Sequence, residues 1–137
     1  MEIAHGVEVD LDVPSAAEAV TAALAEQGFG VLTTIDVRAT LAEKLGVQVD
    51  DYLILGACNP HLAHAALSTE PEIGLLLPCN VTVRRVDGRT LVQTVDPEAL
   101  FTGMVDTADP ELGEIAADAS MRLRAALDSL RARTTAT

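Results

Sequence analysis

Two cysteines stand in this chain of 137 residues, in matching settings: Gly56-Ala57-Cys58-Asn59-Pro60 and Leu77-Pro78-Cys79-Asn80. Each thiol is followed by an asparagine and has a proline close by. Cys58 closes an apolar run that begins at Tyr52 and stands just before a helix, with Asn59 as N-cap and Pro60 at the first helical position. A thiol at that point gains thiolate character from the helix dipole and the free N–H groups. Cys79 opens another strand. If the two strands are neighbours, Cys58 and Cys79 form a thiol pair that cycles between dithiol and disulfide. A second reading is a ligand pocket walled by Cys58, Asn59, Cys79 and Asn80. In the third, both cysteines are small buried residues without chemistry, in a structural or interaction domain. Capping explains Asn59 fully. It does not explain Asn80, whose amide is free to hold a turn or face a ligand.

His61 and His64 extend the first stretch to a C-x-x-H-x-x-H spacing, with Cys79 as a candidate fourth ligand. Histidines three apart share a helix face, and thiolate with imidazole suits Zn, Cu(I) or Fe. No C-x-x-C knuckle accompanies them, and His61 reads as a solvated first-turn residue. Cys58, His61, His64 and Cys79 are therefore kept as candidates while no metal and no cofactor is assigned. A Cys–His dyad of Cys58 with His5, His61 or His64 needs only proximity in space. The familiar catalytic templates (a G-x-S-x-G elbow, a phosphate-binding glycine loop, an H-E-x-x-H helix) are absent. The chain leans away from enzymes.

Local signals outline the elements that must position these groups. Ile3, His5, Val7, Val9, Leu11 and Val13 alternate with small or charged residues, which predicts a half-buried strand ended by Pro14. His5 falls on its apolar face, where a structural imidazole fits better than a ligand. Ser15-Ala16-Ala17-Glu18 reads as a capping box for a helix to Gln27. Phe29 to Ile35 reads as a second strand, with Phe29, Val31, Thr33 and Ile35 on one face. Asp36 and Gly46 bracket a short helix. Tyr52 to Cys58 is apolar on both faces, as a central strand is. A helix follows from Pro60 to about Thr69, and Ile73 to Leu77 fits either a strand or a buried loop. Asp87-Gly88 joins Cys79–Val86 to Thr90–Val95 as a hairpin. Asp96-Pro97-Glu98 opens a helical turn through Phe101, and Thr102 to Ala108 is a connector. Asp109-Pro110-Glu111 starts a last helix with a stripe from Leu112 to Leu130. The hairpin and the half-wet first strand together predict a two-layer α+β fold, a mainly antiparallel sheet of about five strands with helices on one face.

Composition narrows the function classes. The chain carries 21 acidic and 9 basic residues, a net charge of −12. That surface repels a phosphate backbone, and only Phe29, Tyr52 and Phe101 offer rings to stack, so no nucleic acid is expected. Anionic membranes are disfavoured for the same reason. Apolar residues make up 49%, enough for a core, and no run approaches the roughly 20 residues of a membrane span. Met1-Glu2-Ile3-Ala4-His5 has neither a basic nor an apolar leader region. Two cysteines without an export signal point to the cytoplasm.

Six short motifs carry a family resemblance: Gly28-Phe29-Gly30-Val31-Leu32-Thr33, Ile35-Asp36-Val37, Glu43-Lys44-Leu45-Gly46, Leu55-Gly56-Ala57-Cys58-Asn59-Pro60, Ile73-Gly74-Leu75-Leu76-Leu77-Pro78-Cys79-Asn80 and Val95-Asp96-Pro97. In this order they resemble the bacterial and archaeal family called domain of unknown function 302. Length suits one domain over 1–137; the resemblance gives a family-like core near 7–101, and the C-terminal helix near 110–132 follows it. The resemblance also implies a curved sheet like that of the TATA-binding protein, a homodimer, and no known reaction. Within the family, Cys58, Asn59, Pro60, Pro78, Cys79 and Asn80 belong to the motifs, whereas His5, His61 and His64 do not. The expected function is thus a homodimeric module with a small-ligand pocket near the paired Cys-Asn motifs.

Overall fold

The computed structural model describes residues 4–102 and 109–135. Ile3 and the connector over 103–108 lie outside the described residues, as do the last two residues. Strands β1 (Ala4–Val9), β2 (Gly30–Asp36), β3 (Tyr52–Cys58), β4 (Cys79–Val86) and β5 (Arg89–Val95) form one sheet. Their order is β1-β5-β4-β3-β2, and every neighbouring pair is antiparallel. Helices α1 (Val13–Glu26) and α5 (Pro110–Thr135) close one face of it. Helix α2 (Val37–Leu45) stands beside β2 and β3 at the sheet edge, α3 (Pro60–Thr69) packs on α5, and α4 (Pro97–Thr102) is the single turn after β5. The two-layer α+β expectation holds.

Period-two alternation builds the inner face of the sheet. Val7, Val9, Leu55, Ala57, Val81, Val83 and Val92 are all buried. They meet Val20 and Leu24 of α1 and Leu123, Leu127 and Leu130 of α5 in one cluster. Each such Val or Leu side chain contributes about 1.5–3 kcal/mol by leaving water. A smaller cluster of Ala66, Ile73, Phe101, Leu112 and Ala116 sits beyond the strand ends.

Three local readings need correction. β1 stops at Val9, and Asp12 rather than Ser15 caps α1: its Oδ1 accepts the Ser15 N–H at 2.8 Å. Pro14 then falls in the first helical turn, where a missing N–H is harmless. In β2 the register shifts between Val31 and Thr33. Leu32 is an extra residue, so Val31 faces inward opposite Ala57 while Thr33 and Ile35 face outward opposite Gly56 and Ile54. Ile73 to Leu76 belongs to a 3₁₀ helix, Pro71–Leu76, begun where Glu70 Oε1 accepts the Glu72 N–H at 3.1 Å.

Elsewhere the local signals act as read. β3, flanked by β4 and β2, is interior as read. Asp36 Oδ1 accepts the Ala39 N–H at 2.9 Å, and Asn59 Oδ1 the Leu62 N–H at 3.2 Å. Asp87 and Gly88 have φ of 50° and 77°, the pair of positive angles that a two-residue type I′ hairpin demands.

Gly56 marks a close approach. A Cβ there would strike Thr33 Oγ1 and come within 2.9 Å of Pro78 Cγ, whereas one on Gly30 would meet nothing within 4 Å. Gly56→Ala should therefore cost about 1–3 kcal/mol in urea unfolding. Gly30→Ala should leave the midpoint nearly unchanged. Equal midpoints for the two variants would contradict this packing.

Candidate functional site

The paired Cys-Asn stretches meet at the Cys58 end of β3. β4 begins there with Cys79, opposite Ala57 rather than Cys58 in the ladder. Both thiols are free, with no bond between them. They line a cleft whose walls come from β3 and α3 on one side and from α4 and α5 on the other. Phe29, Leu62 and Leu77 supply one part of the lining, and Phe101, Ile115 and Ala119 another. The lining is hydrocarbon and thiol except for Asn59, whose carbonyl oxygen is already taken by the α3 cap. The helix N-terminus therefore offers this space little polar chemistry. The cavity measures about 40 Å³. One water needs about 10–15 Å³, so it admits a few heavy atoms, well short of the roughly 300–1,000 Å³ that receives a drug-sized molecule.

The cleft also shapes the thiol chemistry. Burial, with the neighbouring Cys58 charge adding to it, pushes the Cys79 thiol up to about 11. At neutral pH it is fully protonated and a poor nucleophile. His61 and His64 project from the exposed side of α3 and do not join the thiols. Among the described residues no group of three His, Cys, Asp or Glu side chains is placed to hold a metal ion. Asn80 faces away from the cleft. Alternation along β4 turns Cys79 toward the core and Asn80 to the open side of the sheet, where it is exposed. Three of the four residues expected to wall one pocket are together, and Asn80 is not.

A polar cluster fixes the outer wall of the cleft. Ser120 Oγ donates to Asp96 Oδ1, and the Glu98 N–H reaches both Asp96 Oδ1 (3.1 Å) and Ser120 Oγ (3.0 Å). Asp96 and Ser120 are next in sequence to the cleft residues Pro97 and Ala119, so this clamp ties α4 to α5. His5 Nε2 lies 3.3 Å from Asp96 Oδ2 and 2.7 Å from an Arg124 nitrogen. Burial alone would raise the Asp96 pKa. The hydrogen bonds from Ser120, Ala99 and Glu98, with His5 nearby, outweigh it and hold the carboxyl below its ordinary value. His, Asp and Ser meet here without making a hydrolase triad, because buried Ser120 donates to the carboxylate and not to the imidazole. A lone serine in the otherwise apolar stripe of α5 was the available signal for this clamp.

The family model described as "Domain of unknown function DUF302" matches residues 5–130. The chain belongs to this family. A crystal structure of the uncharacterized conserved protein DUF302 from Bacillus stearothermophilus is similar, with a TM-score of 0.86 at 34% identity, covering 96% of this chain and 100% of that one. No curated protein matches the chain. In this DUF302 domain, residues from four of the six family-like motifs converge on the cleft: Phe29, the Ala57-Cys58-Asn59 run, Leu77 with Cys79, and Pro97.

Two outcomes test this geometry. Asp96 has a folded pKa below the usual 3.8, so its stabilising contribution is whole above about pH 4 and is lost as pH falls through the lowered value. Asp96→Asn should flatten the acid limb of a plot of urea midpoint against pH, and Ser120→Ala should cost about 1.5–3 kcal/mol at pH 7. Cys79 should resist iodoacetamide at pH 8 in the folded protein and react after urea unfolding, as intact mass would show. Rapid native labelling of Cys79 would be inconsistent with its burial.

Proposed function

We propose that this DUF302 protein is a homodimeric module that binds a small apolar molecule, or the apolar end of one, in the cleft beside Cys58 and Cys79. The convergence of four separated family-like motifs on one apolar space carries this reading. A few hydrocarbon atoms match the room and the lining, and an anionic group would find no charge to meet it. Empty apolar cavities take up xenon, a single large apolar atom. Xenon dissolved under pressure should shift the methyl resonances of Ala57, Ala119 and Ile115, since one atom matches a space of about 40 Å³, and Ala63→Leu at the cleft should abolish those shifts while leaving the rest of the spectrum folded. Unmoved methyls in the wild type would exclude the cleft as a site.

The homodimer rests on a different feature. Helix α2 buries no residue, and β2 is exposed along nearly its whole length. Leu32 and Leu45 are 68% and 69% exposed, and Ile35, Val47 and Val49 join them at the surface. A short helix without a buried face gains little from its own propensity, and an uncovered apolar edge seeks a cover. A second copy fits, because an edge strand paired with itself antiparallel about a two-fold axis is self-complementary. Light scattering on the eluting protein should give twice the chain mass, and Leu32→Glu should reduce it to one. A wild-type monomer at all concentrations would remove this part of the reading.

The rival thiol cycle draws less support, since Cys79 is held protonated and the two cysteines are unbonded. Inert buried cysteines in an interaction domain remain the outcome if xenon leaves the cleft methyls unmoved. Free thiols favour a reducing compartment, and we place the protein in the cytoplasm. Among the described residues no helix is long and apolar enough to cross a membrane.

A further inference from the structure

The open face of the sheet carries a second concavity, a trough of about 390 Å³ across β3, β4, β5 and the start of β1, within the usual range for small-molecule sites. Side chains that share this face line it: Tyr52, then Asn80, Thr82 and Arg84 along β4, then Gln93 and Val95. Nothing in the reading of the apolar cleft uses them.

Arg84 makes the trough more than a wet sheet surface. Its guanidinium lies 5.9 Å from the centre of the Tyr52 ring, and its Nη2 donates to Gln93 Oε1 at 3.2 Å. Two neighbours on either side thus hold one edge of the fork in place. In a chain with 21 acidic residues, Arg38, Arg89, Arg122 and Arg124 each have a carboxylate within 4.0 Å. Among the described residues Arg84 has none. A positioned, half-buried guanidinium with no counter-charge is poised for an acceptor with two oxygens.

We propose that the trough binds a small monocarboxylic acid bearing a second hydrogen-bonding group at its far end. The carboxylate pairs with Arg84, the body of the molecule lies over Thr82, and the far group meets the Asn80 amide. Thr82 and Asn80 are two residues apart on one face, about 6.6 Å at the strand rise, and Arg84 is long enough to reach back toward them. A single cation in a strongly acidic chain balances one negative charge. A phosphate dianion would stay half uncompensated, which is why the acceptor is a carboxylate. The Asn80 of the second Cys-Asn stretch thereby acquires a role separate from Cys79. Self-pairing at β2 leaves this trough open, since β3 separates β2 from β4.

A direct probe is 4-hydroxybenzoate titrated into isotope-labelled protein, reading the Arg84 Nε–H and Asn80 side-chain amide signals. Both should move along one saturable curve in the millimolar range. Arg84→Met should weaken that curve by about tenfold or more, Asn80→Ala by less, and Arg84→Lys should fall between wild type and Arg84→Met. Neutral 4-hydroxybenzamide should shift neither signal, and inorganic phosphate should not displace the acid. Each variant's amide spectrum reports whether it is folded. The proposal is overturned if the amide analogue binds as well as the acid, if Arg84→Met binds the acid unchanged, if phosphate competes on equal terms, or if wild type shows no saturable shift. Because the cleft methyls lie on the other face, failure here leaves the xenon result standing, and the reverse.

Discussion

One face of the five-stranded sheet must be kept dry, and two helices do it. The apolar stripe of α5 runs past β1, α1, α3 and α4, while α1 lies over β2, β3, β4 and β5, so the two helices together form the cover. What this pair of helices covers becomes core. What they cover poorly or not at all stays exposed: most of β2, α2 and the opposite face of the sheet. The cleft forms where the cover thins. At Ala116 and Ala119 the stripe is built of small side chains, opposite the strand ends that carry Cys58 and Cys79. Replacing bulk by methyl groups at that point leaves room that nothing else fills.

The cleft survives because its two walls are fixed separately. On one side the Asn59 cap sets where α3 starts. On the other, the Asp96–Ser120 clamp holds the first turn of α4 to α5. Neither wall needs a ligand to hold its shape. The polar groups that do the fixing are consumed by it, which explains how a site flanked by Asn, Asp, Ser and His can still present an apolar interior.

Much of this arrangement was legible because its signals are local. Asn59-Pro60, Asp36 with Gly46, Asp87-Gly88 and Asp109-Pro110 each satisfy backbone groups within a few residues, and each acts as read. The misreadings have a non-local cause. A bulge at Leu32 is invisible until β3 supplies the register, so Val31 and Ile35 looked alike and face opposite ways. Asp12 outcompetes the Ser15 capping box because Thr90, far along the chain, donates to the Leu11 carbonyl at 2.6 Å and pins that turn to β5. Asn80 was grouped with Cys79 by likeness to the first stretch. Its period-two position already places it on the other face, and that separation divides the apolar cleft from the polar trough.

The uncovered β2 edge has a consequence for handling the protein. The strand Gly30–Asp36 contains no lysine or proline to deter foreign strands, and only Asp36 at its end bears charge. In any copy whose β2 is not paired, long-range repulsion from the net charge of −12 is what opposes indiscriminate strand addition. That repulsion is tunable. It vanishes near the isoelectric point of about 4.4 and is screened by salt, so acidic precipitants or high ionic strength favour disordered strand addition at this edge over orderly crystals.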